Sequence, residues 1–256
     1  MDFFTAIILG IVEGLTEFLP ISSTGHLILA SKFLQIAQTD FVKSFEIAIQ
    51  LGAVLSVVVL YWKKFFDLKI LKKIFVAFLP TATIGFILYR TFKQSLLGNE
   101  QIVLWSLLLG GIFIILFEFF YRKKGKTIDN ISTIPYKKCF LIGLFQAFSI
   151  IPGVSRAAAT IIGGLSVKLN RETIVQFSFL LAVPTMLAAT GFDLINSATT
   201  FSLDQIDLLA IGFIASFFVA LATVKTFLNF ARKNNFIAFG VYRIAVALLF
   251  WFLVLR

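Results

Sequence analysis

Within the stretch GIVEGLTEFLPISSTGHL, Gly10 to Leu27, an oily sequence carries two glutamates, the hydroxyl run Ser22, Ser23 and Thr24, and His26, the chain's only histidine. Glu13 and Glu17 are four apart, so on a helix they share one face. Two carboxylates in that relation repel unless a cation or a proton joins them, and low-dielectric surroundings sharpen the effect. The pair therefore suits a divalent metal, with carboxylate and water ligands pointing to Mg2+ or Ca2+. Alternatively one glutamate takes a proton in acid–base work, or the pair merely snorkels to a surface. His26 can shuttle protons near neutral pH, attack phosphorus directly, or act as a hydrogen-bonded spacer. Ser22, Ser23 and Thr24 either cap a helix or bind and react. The turn after Pro20 offers free backbone N–H groups at a helix start, which is an anion site.

A second polar cluster follows at Pro152, Gly153, Ser155 and Arg156. A guanidinium there can grip two phosphate oxygens through paired hydrogen bonds. A salt bridge from Arg156 to Glu13 or Glu17 is the structural alternative, and the two roles coexist if the arginine holds a glutamate until substrate arrives. Gln146, on the approach to this cluster, either orients a headgroup or packs as an ordinary helix residue. Glu46, Gln50 and Ser178 are supporting candidates. Phosphoryl transfer needs positioning and compensation of negative charge, and this residue set suits an anion that bears a lipid tail.

The elements that position these residues are set by composition. Of 256 residues, 59% are hydrophobic, 32 are Phe and 14% are charged, against about 25% charged in soluble domains. Mean hydropathy is +0.96. Apolar runs such as FEIAIQLGAVLSVVVLYW match the roughly 20 residues that a helix needs to cross a bilayer. The chain reads as an all-α polytopic membrane protein. The start lacks the basic n-region of a signal peptide. Net charge is +10, but the bases lie in short clusters between apolar runs, which fits topology signals and anionic headgroups rather than nucleic acid. Cys139 is alone, so an internal disulfide is excluded and a cysteine metal site is not expected.

Six clean spans are expected, at about 41–62, 74–92, 101–121, 172–192, 207–228 and 236–255. Two segments, 1–37 and 138–168, are interrupted by LPISSTGH and IPGVSRAAAT. Pro breaks the helical ladder, and such breaks are tolerated in a membrane where protein or a cavity covers them. Both segments read as re-entrant helix–loop–helix hairpins. The halves, approximately 1–121 and 138–256 of a single domain 1–256, look duplicated at an offset of 132, which pairs Ser23 with Ser155 and Thr24 with Arg156. Three spans per half make the repeat inverted. Basic connectors at Lys63 to Lys73, Arg122 to Lys138, Lys168 to Arg171 and Arg232 to Lys233 then share one side, which the positive-inside rule makes cytoplasmic. Both termini face outward, and the two tips meet within the membrane.

The motif EGLTEFLPISSTGH (Glu13 to His26) with PGVSR (Pro152 to Arg156), supported by FEIAIQLGAVLSVV and FSFLLAVP, strongly resembles the bacterial undecaprenyl-diphosphate phosphatases, the bacitracin-resistance proteins of the BacA/UppP type. The resemblance covers nearly the whole chain. It implies hydrolysis of undecaprenyl diphosphate to the monophosphate carrier and phosphate, dependence on a divalent cation, and a cell-membrane site opening outward. It also implies catalytic roles for Glu17, Ser23, His26 and Arg156, with Glu13 a further acidic match and metal ligand beside Glu17. Ser22, Thr24, Gly153, Ser155 and Gln146 are the expected substrate-binding positions. Ser23 activated by His26 is the favoured nucleophile, with His26 itself or activated water as alternatives. The chain departs from the family pattern at Ala157 and Ala158, where the family has Ser-Gly. The expected partners are undecaprenyl diphosphate, membrane lipid and a second copy in a homodimer. The rival function is a transporter or flippase for a polyprenyl phosphate or another anion.

Overall fold

The structure, a computed structural model, describes residues 1–37, 39–95, 100–121, 127–196 and 203–254. Apolar runs with no stretch of alternating polarity leave helix as the only way to satisfy the backbone in a membrane. The described residues accordingly form ten α-helices: α1 Phe3–Thr16, α2 Ser23–Phe33, α3 Asp40–Leu60, α4 Leu68–Ser95, α5 Glu100–Phe120, α6 Tyr136–Ala147, α7 Arg156–Ser166, α8 Arg171–Asn196, α9 Leu203–Lys233 and α10 Ile237–Val254. Five of them, α3, α4, α5, α8 and α9, are long and apolar enough to cross a membrane, and α1 and α10 are shorter apolar helices. The chain is an all-α, multi-pass membrane bundle.

The expected spans mark the apolar part of each helix better than its ends. α4 starts at Leu68 and α9 runs on to Lys233, because helical backbone continues past the hydrocarbon into polar residues. Pro80 and Pro184 lie inside α4 and α8 without ending them.

The two interrupted segments fold as helix, break, helix. Between α1 and α2 the chain turns through Glu17 to Ser22, and Ser22 adopts φ 73 while its hydroxyl accepts from the Gly25 N–H. Between α6 and α7 it turns through Gly153 (φ 90) and Ser155 (φ 76), whose hydroxyl accepts from the Ala158 N–H. Ser22 and Ser155, 133 residues apart, thus cap their helices in the same left-handed way. Composition pairs like with like, whereas the shared left-handed cap is a conformational feature invisible to it.

Packing follows small residues. α1 and α3 both lie against α9, α4 against α6, and α5 against α10. A Cβ on Gly10 would stand 2.5 Å from the Gly212 carbonyl oxygen, and one on Gly14 2.6 Å from that of Ser216. Such close backbone approach is how helices gain dispersion energy where lipid removes the hydrophobic drive. The core centres on Phe18, Phe177, Phe179 and Leu180, all fully buried. Phe33, Phe66, Phe86, Phe119 and Phe120 instead lie mostly uncovered, as suits a surface bathed in acyl chains.

Several connectors meet at one end of the bundle. Arg171 makes a bidentate pair with Glu118, Arg232 pairs with Glu172 at 2.6 Å, and Lys64 donates to Gln176 at 2.7 Å. Lys138 donates to the Val167 carbonyl at 2.7 Å. Burial holds the Lys64 ammonium below its ordinary pKa, with Glu172 acting in opposition. Lys32 pairs with Glu100, joining the end of α2 to the start of α5. Of the basic residues invoked for orientation, Arg122, Lys123, Lys124 and Lys126 lie outside the described residues.

The α1–α9 contact makes a prediction. Gly14→Val should lower the melting temperature in detergent by about 5 °C or more, because the branched side chain must push two backbones apart. Gly191→Ala, whose Cβ would meet nothing within 4 Å among the described residues, should melt as the wild type. Equal melting of both variants would contradict the packing.

Candidate active site

The C-terminal end of α1 and the break after it present both glutamates inward. Glu17 is the hub. Its Oε1 accepts from Arg156 Nη2 at 3.0 Å and its Oε2 from the Ser23 hydroxyl at 2.6 Å. Glu17 and Arg156 side chains are 6% and 10% exposed, so the ion pair is largely removed from water, where attraction is strong but desolvation is expensive. The rest of the guanidinium is held accordingly. Nη1 donates to the Ser178 carbonyl at 2.9 Å, and the Ser178 hydroxyl lies 2.7 Å from that of Thr160. The guanidinium also sits over the Phe18 ring, 5.8 Å from its centroid.

Glu13 is fully buried, and neither of its oxygens has a hydrogen-bond partner among the described residues. It feels the carboxylates of Glu17 and Glu46 and the opposing charge of Arg156. A buried carboxylate in that state must be neutral or bind something.

His26 sits one turn into α2. Its Nδ1 lies 2.7 Å from the Ser22 carbonyl oxygen. A carbonyl only accepts, so Nδ1 carries the hydrogen and the neutral ring keeps a lone pair on Nε2. Nε2 is 2.8 Å from the Tyr242 hydroxyl, which is therefore the donor.

The favoured pairing of Ser23 with His26 differs from the observed one. Ser23, the first residue of α2, turns its hydroxyl back across the break to Glu17, while His26 is anchored through Ser22 and directed to α10. A carboxylate 2.6 Å from a hydroxyl is itself placed to take its proton. The expected salt bridge of Arg156 to one of the glutamates is present, and Glu17 is the one chosen.

The remaining expected positions divide. Ser22 and Ser155 cap α2 and α7, and the Ser155 hydroxyl is 3.5 Å from the Leu19 carbonyl in the opposite break. Gly153 is buried, and a Cβ there would lie 2.7 Å from the Val103 carbonyl oxygen. Thr24 is exposed. Gln146 is fully buried, and its amide nitrogen donates to Thr81 and Thr185 at 3.0 Å each, while its Oε1 has no partner among the described residues. Ala157 is 1% exposed, so a hydroxyl there would need an internal partner. The positive ends of α2 and α7 both start at the breaks, where they favour negative charge.

Sequence reasoning missed Arg243. It is fully buried, and it donates to the carbonyls of Leu107 (3.3 Å), Pro20 (3.3 Å), Val154 (2.9 Å), Ser106 (2.8 Å) and Gly153 (2.9 Å). One guanidinium thereby joins the first break, the second break and α5. The signal was present: a single arginine within the last apolar run, FIAFGVYRIAVALLFWFLVL, and an intramembrane charge is a functional marker by default. Gly110 leaves the space that the guanidinium fills.

Arg243→Met should remove five hydrogen bonds to carbonyls and leave those of Pro20, Gly153 and Val154 in the breaks without this donor. With hydrogen bonds to charged groups worth about 1.5–3 kcal/mol each, the melting temperature should fall by about 10 °C or more, and Gly110→Val should act the same way by displacing the guanidinium. A wild-type melting curve for Arg243→Met would remove this role.

Comparison with known proteins agrees with the geometry. The family model described as bacitracin resistance protein BacA matches residues 6–249. A protein of Aquifex aeolicus (strain VF5) named undecaprenyl-diphosphatase is 52% identical over 246 residues, covering 96% of each chain. Another of that name from Persephonella marina (strain DSM 14350 / EX-H1) is 49% identical over 256 residues, covering 100% of both. A third, from Sulfurihydrogenibium sp. (strain YO3AOP1), is 49% identical over 96% of this chain and 97% of its own. With its glutamates, serine and arginine gathered at two helix breaks and its whole length matched, the chain belongs to the BacA family of bacitracin resistance proteins.

Proposed function

We infer that this membrane protein hydrolyses undecaprenyl diphosphate to undecaprenyl phosphate and inorganic phosphate, recycling the lipid carrier of peptidoglycan synthesis. The observation that carries the reading is the buried chain Arg156–Glu17–Ser23, in which a guanidinium, a carboxylate and a hydroxyl share two hydrogen bonds of 3.0 and 2.6 Å. The relatives named above carry the same activity in their names.

In the mechanism we propose, the diphosphate draws Arg156 from Glu17 onto its own oxygens. Glu17, no longer neutralised, takes the Ser23 proton. The Ser23 oxygen attacks the terminal phosphorus, the bond to the bridging oxygen breaks, and undecaprenyl phosphate leaves. Water, giving a proton to His26 Nε2, then hydrolyses the phosphoserine and releases phosphate. The helix starts at Ser23 and Arg156 compensate the developing charge. Ser22, Thr24, Gly153 and Ser155 shape the breaks around the headgroup. Glu13, with two partnerless buried oxygens, and Glu17 fit a hard divalent cation that completes its shell with water and substrate phosphate. Among the described residues no group of three or more His, Cys, Asp or Glu is gathered for a metal, so the substrate must supply part of the coordination. When bound, Mg2+ or Ca2+ would neutralise phosphate charge.

We also propose that both interrupted segments are re-entrant hairpins within a six-span inverted repeat, with the basic end cytoplasmic, the termini outside and the site opening outward. Support comes from exchanged packing, α1 on α9 as α6 on α4, from the left-handed caps Ser22 and Ser155, and from left-handed Gln35 and Lys168 at the same separation.

Purified protein in detergent, given a polyprenyl diphosphate, should release phosphate, and a chelator should stop it. Glu17→Gln and Arg156→Ala should each lower turnover about 10²–10³-fold or more. Unimpaired turnover in either variant would refute its role, and lipid movement across liposomes without phosphate release would favour a transporter. A cysteine placed in 197–202 should be labelled by an impermeant reagent from outside, since native Cys139 is buried; labelling only from the cytoplasmic side would reverse the orientation.

A further inference from the structure

Tyr242 belongs to none of the motifs, yet it is the only described residue whose side chain bonds the free nitrogen of His26. Its hydroxyl lies 2.8 Å from Nε2, and the two rings are parallel within 3° at 5.5 Å between centroids. With Nδ1 committed to Ser22, Nε2 is the ring's single basic atom, and Tyr242 covers it. Tyr242 also lines an open groove of about 620 Å³ between α1, α9 and α10, together with Leu15, Leu19, Thr223, Phe227 and Phe239 among others. The phenol therefore has room to leave.

We propose that Tyr242 is a positioning residue for His26: its hydroxyl holds the imidazole with Nε2 as acceptor and caps that nitrogen until the phenol swings toward the α1–α9–α10 groove. The two restraints act in opposite senses. Ser22 fixes which nitrogen is protonated, and Tyr242 fixes where the unprotonated one points. A ring held at Nδ1 alone would keep its tautomer but gain freedom about that bond, so fewer turnovers would start with Nε2 already in the one orientation that Tyr242 sets. The catalytic consequence rests on the phosphatase reading; the cap itself does not.

Because His26 is the chain's only histidine, it can be read without interference in full-length protein carrying a histidine-free tag. Three measurements on wild type and Tyr242→Phe decide the matter. Carbethoxylation by diethyl pyrocarbonate, which needs a free imidazole lone pair, should be about fivefold faster in Tyr242→Phe, as expected for losing one hydrogen bond of about 1 kcal/mol. Nitrogen NMR of the labelled imidazole should keep the Nδ1–H tautomer while the Nε2 resonance moves toward that of an unbonded acceptor. Turnover of a polyprenyl diphosphate should show kcat reduced about fivefold with KM nearly unchanged, at an unaltered melting temperature. Unchanged carbethoxylation and an unchanged Nε2 resonance would overturn the cap. An uncapped Nε2 with wild-type kcat would overturn its role in positioning. If the wild type released no phosphate at all, the phosphatase reading would fall, and reagent and resonance would still decide the cap.

Discussion

Two helix breaks inside an apolar bundle leave carbonyl groups with no water to meet them, and one guanidinium answers for three of them while tying both breaks to α5. Arg243 reaches Pro20 in the first break, Gly153 and Val154 in the second, and Ser106 and Leu107 on α5. A buried charge without acceptors would be intolerable, and buried carbonyls without donors nearly so. Their mutual satisfaction ties the two breaks together, and the contacts that cross between them, Arg156 with Glu17 and Ser155 with Leu19, depend on that tie.

The charges of the site follow the same logic on a smaller scale. Arg156 is buried with Glu17 as its counter-ion and the Ser178 carbonyl as its further acceptor. Glu17 uses its second oxygen for Ser23. A guanidinium held this way is already oriented for a phosphate and can exchange one anion for another without entering water. Glu13 lacks such compensation, which marks it as the position where the resting arrangement is incomplete.

Around this centre the bundle relies on shape rather than on hydrophobic sorting. Gly10 and Gly14 let α1 touch the backbone of α9, and large aromatic residues populate the outer surface. In lipid, contact area and small-residue fit decide which helices adjoin. That is why the interrupted segments α1–α2 and α6–α7 can be held among the long helices, with Ser178 of α8 and Tyr242 and Arg243 of α10 reaching them.

By itself the sequence determined the class of protein, the helical runs, both interruptions and the residue types of the site. Those follow from local composition: oily runs demand helices, Pro and Gly interrupt them, and a lone histidine beside two glutamates is conspicuous in such a chain. The EGLTEFLPISSTGH and PGVSR motifs added the family. Only the tertiary structure decided which groups touch. It gave Ser23 to Glu17 rather than His26, put Gln146 among threonines, gave Ser22 and Ser155 the same left-handed cap, and brought Tyr242 and Arg243 from the far end of the chain to the breaks. Hydrogen bonds between residues more than two hundred positions apart, such as His26 with Tyr242, depend on helix packing and backbone sign, and neither leaves a mark in local spacing.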